Sequence, residues 1–202
     1  MPEIATILLA AGLSRRMGPR NKLLLPIKGV PMIRHLTQTY LAAFQGRVLV
    51  VTGHQTTEIE ASLADLPVDL VHNADFEHGQ VTSVICGLEN VPKADLLLMG
   101  LGDQPLLAIS DLRGLLAAHK AADPGKISIP RNGETRGNPI VIPAQLRTRL
   151  LTDPRAPGCK KFTRAHPEHV QFHDLPARGF YADIDTPEAY AALKDTVAAE
   201  PS

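Results

Sequence analysis

Three strings in this 202-residue chain carry residue types that can bind and polarise phosphate. The first is Ala10-Ala11-Gly12-Leu13-Ser14-Arg15-Arg16-Met17-Gly18, followed by Pro19-Arg20-Asn21-Lys22. Small residues at its start let the backbone approach a ligand closely, and Gly12 is free to take a positive φ. Arg15, Arg16, Arg20 and Lys22 then set local positive charge beside free amides, the combination that cradles a triphosphate. The string is not a Walker loop, because Gly18 is followed by Pro19 rather than Lys-Ser/Thr. The dinucleotide fingerprint GxGxxG is absent as well. A basic surface loop is the plain alternative, but the string directly follows the apolar run Ile4–Leu9, where ligand loops sit in α/β sheets.

The other two strings are acidic. Gly102-Asp103-Gln104-Pro105 ends an apolar run, and a carboxylate there is a hard oxygen donor suited to Mg²⁺. A turn Asp stabilising its own loop is the competing account. Further on, Tyr181-Ala182-Asp183-Ile184-Asp185-Thr186-Pro187-Glu188 reads as a helix start, with Thr186 as N-cap, Pro187 at the first position and Glu188 in the first turn. Asp185 is then either a charge favoured by the helix dipole or a ligand. Spacing alone does not separate it from Asp183.

Weaker candidates follow. His72-Asn73-Ala74-Asp75-Phe76 and Gly79-Gln80-Val81-Thr82-Ser83 place polar groups at a strand end and a helix start, where they can read a base edge. Capping by Thr82 or Ser83 explains them equally well. Arg136-Gly137-Asn138-Pro139 lies in a Pro/Gly-rich stretch. His166-Pro167-Glu168-His169 lacks the HExxH spacing of a zinc site and reads as surface. No Ser/His/Asp or Cys/His set stands out, so the chemistry needs no side-chain nucleophile.

These loops need a frame. Apolar runs predict strands over Ile4–Leu9, Arg47–Thr52, Asp69–His72 and Asp95–Leu101, with further strands over Lys126–Pro130, Pro139–Ile142, His169–His173 and Tyr181–Ile184. Amphipathic spacing predicts helices over Met32–Phe44, Thr56–Leu63, Gln80–Glu89, Asp111–Ala121, Ala144–Leu151, Cys159–Ala165 and Pro187–Ala199. Continuous apolar strands alternating with helices imply a sheet covered on both faces. The expected class is α/β, a Rossmann-like doubly wound, mostly parallel sheet in three α/β/α layers. The expectation is one domain over 1–202, with a small lobe or lid around 123–155 and a frayed tail after Ala198.

Composition narrows the function. Hydrophobic residues make up 44% and aromatics 4%, with no Trp, so the core is aliphatic. Lys plus Arg and Asp plus Glu number 21 each, a balance that disfavours a nucleic-acid binder. Cys86 and Cys159 form no CxxC pair, which fits a reducing compartment. The run Ile4–Ala11 is too short to span a bilayer. A cytoplasmic enzyme is expected, without nucleic-acid or membrane partners.

Leu9-Ala10-Ala11-Gly12, Ser14, Arg16-Met17-Gly18, Asn21-Lys22-Leu23-Leu24, Pro26 and Gly29 resemble the signature of the MobA/MocA-like nucleotidyltransferases, and the resemblance runs from Ile4 to about Leu193. It implies that Leu9, Ala10, Ala11 and Gly12 hold the nucleotide while Arg16 and Lys22 touch its phosphates. It implies a catalytic set of Arg16, Lys22 and Asp103, and a metal (Mg²⁺, or Mn²⁺ in its place) on Asp103 and Asp185, with Asp183 in reserve. Asn73, Gly79 and Ser83 would contact base and ribose, and Gln104, Arg136 and Asn138 the acceptor. Leu-Ala-Ala-Gly, Val51-Thr52-Gly53-His54-Gln55 and Gly-Asp-Gln-Pro resemble the cytidylyltransferase branch, which implies CTP, the phosphate of molybdopterin or the molybdenum cofactor, and a client molybdoenzyme. Departures are the doubled Arg15-Arg16 and the segment Ala156-Pro157-Gly158-Cys159-Lys160-Lys161. Other readings are a sugar- or polyol-phosphate or guanylyl-type nucleotidyltransferase, and a non-catalytic cofactor carrier.

Overall fold

A computed structural model of the chain describes residues 2–153 and 158–199. Its strands are β1 (Ile4–Leu9), β2 (Pro26–Ile27), β3 (Val30–Pro31), β4 (Arg47–Thr52), β5 (Asp69–His72), β6 (Leu96–Leu101), β7 (Ile127–Asn132), β8 (Thr135–Arg136), β9 (Ile140–Pro143) and β10 (Val170–Asp174). Its helices are α1 (Met32–Ala43), α2 (Thr56–Leu63), α3 (Gln80–Asn90), α4 (Ile109–Ala121), α5 (Arg147–Thr152), α6 (Cys159–Ala165) and α7 (Pro187–Ala199).

The main sheet has the order β10-β7-β9-β6-β1-β4-β5, with β8 paired to β7. Parallel pairing joins β1 to β4 and β6, β4 to β5, and β7 to β10. The exception is β9, antiparallel to both β6 and β7. The sheet is therefore mostly parallel, as expected.

Strand alternation divides the core between the two faces. Leu8, Val50, Leu98 and Val141 face Leu36 and Tyr40 of α1 and Leu112 and Leu115 of α4. Ile7, Leu9, Leu49, Val51, Leu97 and Met99 face Val84 and Leu88 of α3, Leu150 of α5 and Phe162 of α6. Central strands buried on both sides can afford no polar alternation, and β1 is buried at every position. This is the three-layer α/β/α arrangement.

Three expectations need correction. Tyr181–Ile184 is not a strand. The amides of Tyr181 and Ala182 donate to the Arg178 carbonyl, and that of Ile184 donates to Asp103, so the donors a ladder would use are committed elsewhere. Gly12 does not take a positive φ; in that loop Ser14 (φ 49°) and Gly18 (φ 66°) do. In the 123–155 stretch, expected as a lobe or lid, β7 and β9 lie inside the main sheet and Ile127, Ile129, Val141 and Ile142 are core residues. Residues 154 and 155, the Ala156-Pro157 part of the divergent segment, and the tail from 200 lie outside the described residues.

The short strands β2, β3 and β8 are not predicted by the apolar periodicity. The β2–β3 hairpin turns on Lys28 (φ 48°) and Gly29 (φ 84°), the two left-handed residues a tight hairpin requires. Ile27 of this hairpin packs with Met32, Ile184 and Leu193, docking α7 and the acidic string onto the strand edge that carries the first loop.

Candidate active site

Loops from β1, β4, β5 and β6 meet at the C-terminal edge of the sheet, where backbone amides at parallel strand ends are left free. The first loop is pinned from several sides. The Ala10 amide donates to Val51 O (2.8 Å) and the Gly102 amide to Leu9 O (2.9 Å). Asn21 accepts from the Leu23 amide (3.0 Å), and Ser14 Oγ accepts from the Lys22 amide (3.2 Å). Gly53 lies so close beneath Ala11 and Phe76 that a Cβ there would fall 2.7 Å from the Cβ of each. A Cβ on Gly12, by contrast, would meet nothing within 4 Å. The loop is thus rigid below and open above.

Lys22 is the hub. Its ammonium donates to Asp103 Oδ2 (2.5 Å) and to Asp185 Oδ1 (2.6 Å). Arg16 Nη2 donates to the other oxygen of Asp185 at 2.6 Å. Residues 81 and 163 positions from Lys22 in sequence therefore converge on one nitrogen. The two carboxylates are held together further by the Ile184 amide on Asp103 O (2.9 Å). Thr186 caps α7, its Oγ1 accepting from the Ala189 amide (3.2 Å), as the sequence predicted.

Charge and burial oppose each other here. Burial lowers the Lys22 pKa, but the Asp103 charge and the hydrogen bonds to both aspartates outweigh it, and the net shift is upward. Burial also acts to raise Asp185, yet its contacts with Lys22, then Asp183 and Arg16, hold it below the usual carboxylate value. Asp183 is raised, first by desolvation and then by the negative charge of Asp103 and Asp185. Asp185, not Asp183, is thus the partner of Lys22 and Arg16.

A cleft of about 310 Å³ opens above this cluster. Leu9, Ala11, Gly12, Lys22, Gly79, Ser83 and Asp103 line it, together with Arg15 of the basic run and with Phe76, Glu77 and Gln80, for which the sequence alone gives no specific role. The doubled arginine is explained by the 3₁₀ turn Arg15–Met17, which sends successive side chains about 120° apart. Arg15 lines the cleft while Arg16 holds Asp185. Ala10 is buried in the core beneath.

The remaining candidates are placed differently. Asn73 is 5% exposed; its amide donates to Thr82 Oγ1 (2.9 Å) and Ser83 Oγ (3.0 Å), and its oxygen accepts from the Asp75 amide. It joins the β5 exit to α3. Gln104 is buried and donates to Phe180 O (3.0 Å), which also accepts from the Asn138 amide (2.9 Å). Arg136 lies over the Phe172 ring.

The donor set suits a divalent cation that shares its shell with phosphate. Asp103 Oδ1 is buried and has no hydrogen-bond partner among the described residues. Among those residues, no three His, Cys, Asp or Glu side chains are grouped to hold a metal by themselves. One or two carboxylates plus substrate oxygens is the usual shell for Mg²⁺.

A doubly wound sheet whose strand ends set a basic, glycine-lined loop against two carboxylates defines a protein of the nucleotidyltransferase class. The chain matches the MobA-like NTP transferase domain over residues 6–170 and belongs to that family. Nicotine blue oxidoreductase of Paenarthrobacter nicotinovorans is 29% identical over 196 residues, spanning 93% of this chain and 95% of that protein. A nucleotidyl transferase from Methanothermobacter thermautotroptrophicus superposes with a TM-score of 0.82 at 24% identity, covering 97% of this chain and 98% of that one. Rv0371c from Mycobacterium tuberculosis H37Rv, solved in complex with manganese, gives 0.73 at 23% identity over 96% and 99%. No helix among the described residues is long and apolar enough to cross a membrane.

Proposed function

We propose that this protein transfers CMP from CTP to the phosphate of molybdopterin or the molybdenum cofactor, releasing pyrophosphate. The observation that carries nucleotidyl transfer is the convergence of Lys22, Arg16, Asp103 and Asp185 at the mouth of a cleft floored by Ala11 and Gly12. The choice of CTP and of a pterin phosphate rests on the Leu9-Ala10-Ala11-Gly12 and Gly102-Asp103-Gln104-Pro105 strings and their resemblance to the cytidylyltransferase branch.

The acceptor phosphate is already a nucleophile near neutral pH, so no general base is needed. Its oxygen forms a bond to the α-phosphorus, the bond to the bridging oxygen breaks, and pyrophosphate departs. The chain's task is positioning and charge neutralisation. Amides of the 10–12 loop approach the phosphates, and Arg15 and Lys22 offset their charge. Asp103 and Asp185 would hold Mg²⁺, with Mn²⁺ as a substitute; when bound, the ion neutralises phosphate charge and polarises the phosphoryl oxygens. Arg16 orients Asp185 from the solvent side.

The test is pyrophosphate release with each of the four triphosphates, Mg²⁺, and molybdopterin with or without molybdenum. CTP should turn over, EDTA should abolish release, and Mg²⁺ or Mn²⁺ should restore it. Turnover with GTP alone would reassign the base. Turnover only with a sugar or polyol phosphate would reassign the acceptor, and Mg²⁺-independent cofactor binding without turnover would favour a carrier.

The full-length likeness to the Paenarthrobacter protein supports a second reading, an oxidoreductase on the same scaffold. That reading predicts no pyrophosphate from any triphosphate, and it leaves the carboxylate pair around Lys22 without a task.

A further inference from the structure

At the sheet edge opposite the active site lies another cavity, of about 510 Å³. The strand registers place it there. Ile4 at the start of β1 pairs with Leu96 at the start of β6, and Leu96 pairs with Pro143 at the end of β9. The loops carrying Gly12 and Asp103 leave the other ends of β1 and β6. Pro2, Leu96, Pro124 and Pro143 give the cavity apolar walls, and His119 of α4 lines it with them. His119 is 1% exposed, and its Nε2 is buried with no hydrogen-bond partner among the described residues.

What that nitrogen presents is set on the far side of the ring. Nδ1 lies 2.9 Å from Ser128 Oγ, which also meets His173 Nε2 (2.8 Å) and Gln171 Nε2 (2.9 Å). Asp123 fixes the Gln171 amide: the Asp123 N–H donates to Oε1 (3.1 Å), and Nε2 donates to the Asp123 carbonyl (2.8 Å). Gln171 is therefore a donor to Ser128. A hydroxyl donates once and accepts twice, so Ser128 accepts from one histidine and donates to the other. Burial, first of all, holds both imidazoles below their ordinary pKa, so near pH 7 each is neutral and carries one N–H. If Ser128 donates to His119, both rings carry their proton on Nε2, the more stable neutral form of a histidine side chain. The reverse arrangement forces both protons onto Nδ1. The first arrangement is preferred, and it leaves His119 with an Nε2–H that nothing accepts. Ser128 itself is fully buried and cannot act as a nucleophile.

A buried donor without an acceptor is destabilising, and an acceptor entering the cavity relieves it. The surrounding charge selects which acceptor. Lys120 and Asp95 both line the cavity and offset each other. The last carbonyls of α4, which ends at Ala121, add the negative end of a helix dipole. An anion gains little there, whereas an uncharged carbonyl satisfies the N–H and leaves the apolar walls to the rest of the molecule. Three proline rings on those walls favour a flat partner, and the volume is that of a small-molecule site. We propose that this cavity is a second binding site, which takes an uncharged planar molecule whose carbonyl oxygen accepts from His119 Nε2. The site is independent of nucleotide transfer.

Benzamide is the probe, beside toluene (the same ring without an acceptor) and benzoate (the same ring with a charge). In the ¹⁵N-labelled full chain, the His119 Nε2 resonance is read through the carbon-bound protons of its ring and assigned by its loss in H119F. If H119F does not fold, through-bond correlations from the His119 Cβ assign it instead. Before any addition it should be that of a proton-bearing nitrogen; a bare nitrogen overturns the proposal. Benzamide should shift it saturably, with a Kd in the millimolar range that a ligand of about nine non-hydrogen atoms allows. Toluene should bind about tenfold more weakly, the usual effect of losing one hydrogen bond, and benzoate should also bind more weakly than benzamide. A144W alters a half-buried lining residue whose amide still donates to Asp95 O (3.0 Å), and it should block the shift. An unmoved resonance means that the cavity holds water only and overturns the site. Toluene binding as tightly as benzamide removes His119 from recognition, and tighter binding of benzoate makes the ligand an anion; each sinks the proposal. Benzamide binding unchanged in A144W places the probe elsewhere and does the same.

Discussion

Replacing Asp103 with Asn removes a charge while keeping the side chain's shape. Its backbone carbonyl still accepts from the Ile184 amide at 2.9 Å, and Lys22 keeps Asp185 at 2.6 Å, so the loops should stay in register. What disappears is one of the two carboxylates facing the cationic centre, on a side chain only 17% exposed. Unit charges about 4 Å apart interact by about 4 kcal/mol at an effective dielectric near 20. An amide oxygen recovers part of this, leaving a deficit of roughly 3–4 kcal/mol where phosphoryl charge develops, or about 10²–10³-fold in rate. Single-turnover pyrophosphate release with CTP, molybdopterin and excess Mg²⁺ should show that loss, with Tm within a few degrees of the parent by differential scanning fluorimetry. A rate within threefold of the parent at equal Tm would refute the assignment. A parallel collapse of Tm would mean that Asp103 holds the loops together rather than the charge.

Three further outcomes are expected. Gly53→Ala drives a methyl to 2.7 Å from both Ala11 and Phe76, an overpacking of about 1–3 kcal/mol that lowers Tm and raises KM for the triphosphate; unchanged values for both would show that the first loop is not braced from below. Asn73→Ala strips the hydrogen bonds to Thr82, Ser83 and Asp75 and should cost about 2 kcal/mol, roughly 5 °C in Tm, without changing the ranking of the four triphosphates. A stable variant with altered base preference would instead make Asn73 a base reader. The hydrogen bond from Arg34 holds the Asp65 carboxyl down at about 2, against an ordinary value of 3.8. A depressed carboxylate stabilises above its unfolded pKa and loses that contribution as pH falls through the folded one. The stability gap between parent and D65N, read from urea midpoints, should therefore close between about pH 4 and 2; a constant gap would contradict the pairing.

Much of this architecture was legible because the sequence speaks locally about strand ends. Ile4–Leu9 has Thr6 as its one polar residue and Leu96–Leu101 has none, and a small or acidic residue just past such a run has few places to be except the ligand edge. The Thr186 cap was readable for the same reason, since its partner is three residues away. The sequence is silent or misleading where the deciding partner is distant or where one pattern serves two geometries. The apolar run of β9 is the same whether it pairs parallel or antiparallel, and only its place between β6 and β7 fixes the direction. Tyr181–Ile184 alternates as a strand would, but its amides are claimed by Arg178 and by Asp103, the latter far away in sequence. Asn73 has a side chain equally suited to a base edge and to a loop brace; only the fold shows that its amide donates to the hydroxyls of Thr82 and Ser83.

The same argument explains why the site is one unit rather than three motifs. Lys22 touches Asp103 only because β1 and β6 are neighbours, paired from Ile4↔Leu96 to Leu9↔Leu101, so the loops leaving them emerge side by side. Asp185 joins them because Ile184 buries its side chain against the hairpin after the first loop while lending its amide to Asp103. Ile184 thus acts as an anchor that sets Asp185 against Lys22, a residue of the cleft lining. The charges are set by packing, and the packing by the alternation of apolar and acidic residues in Asp183-Ile184-Asp185.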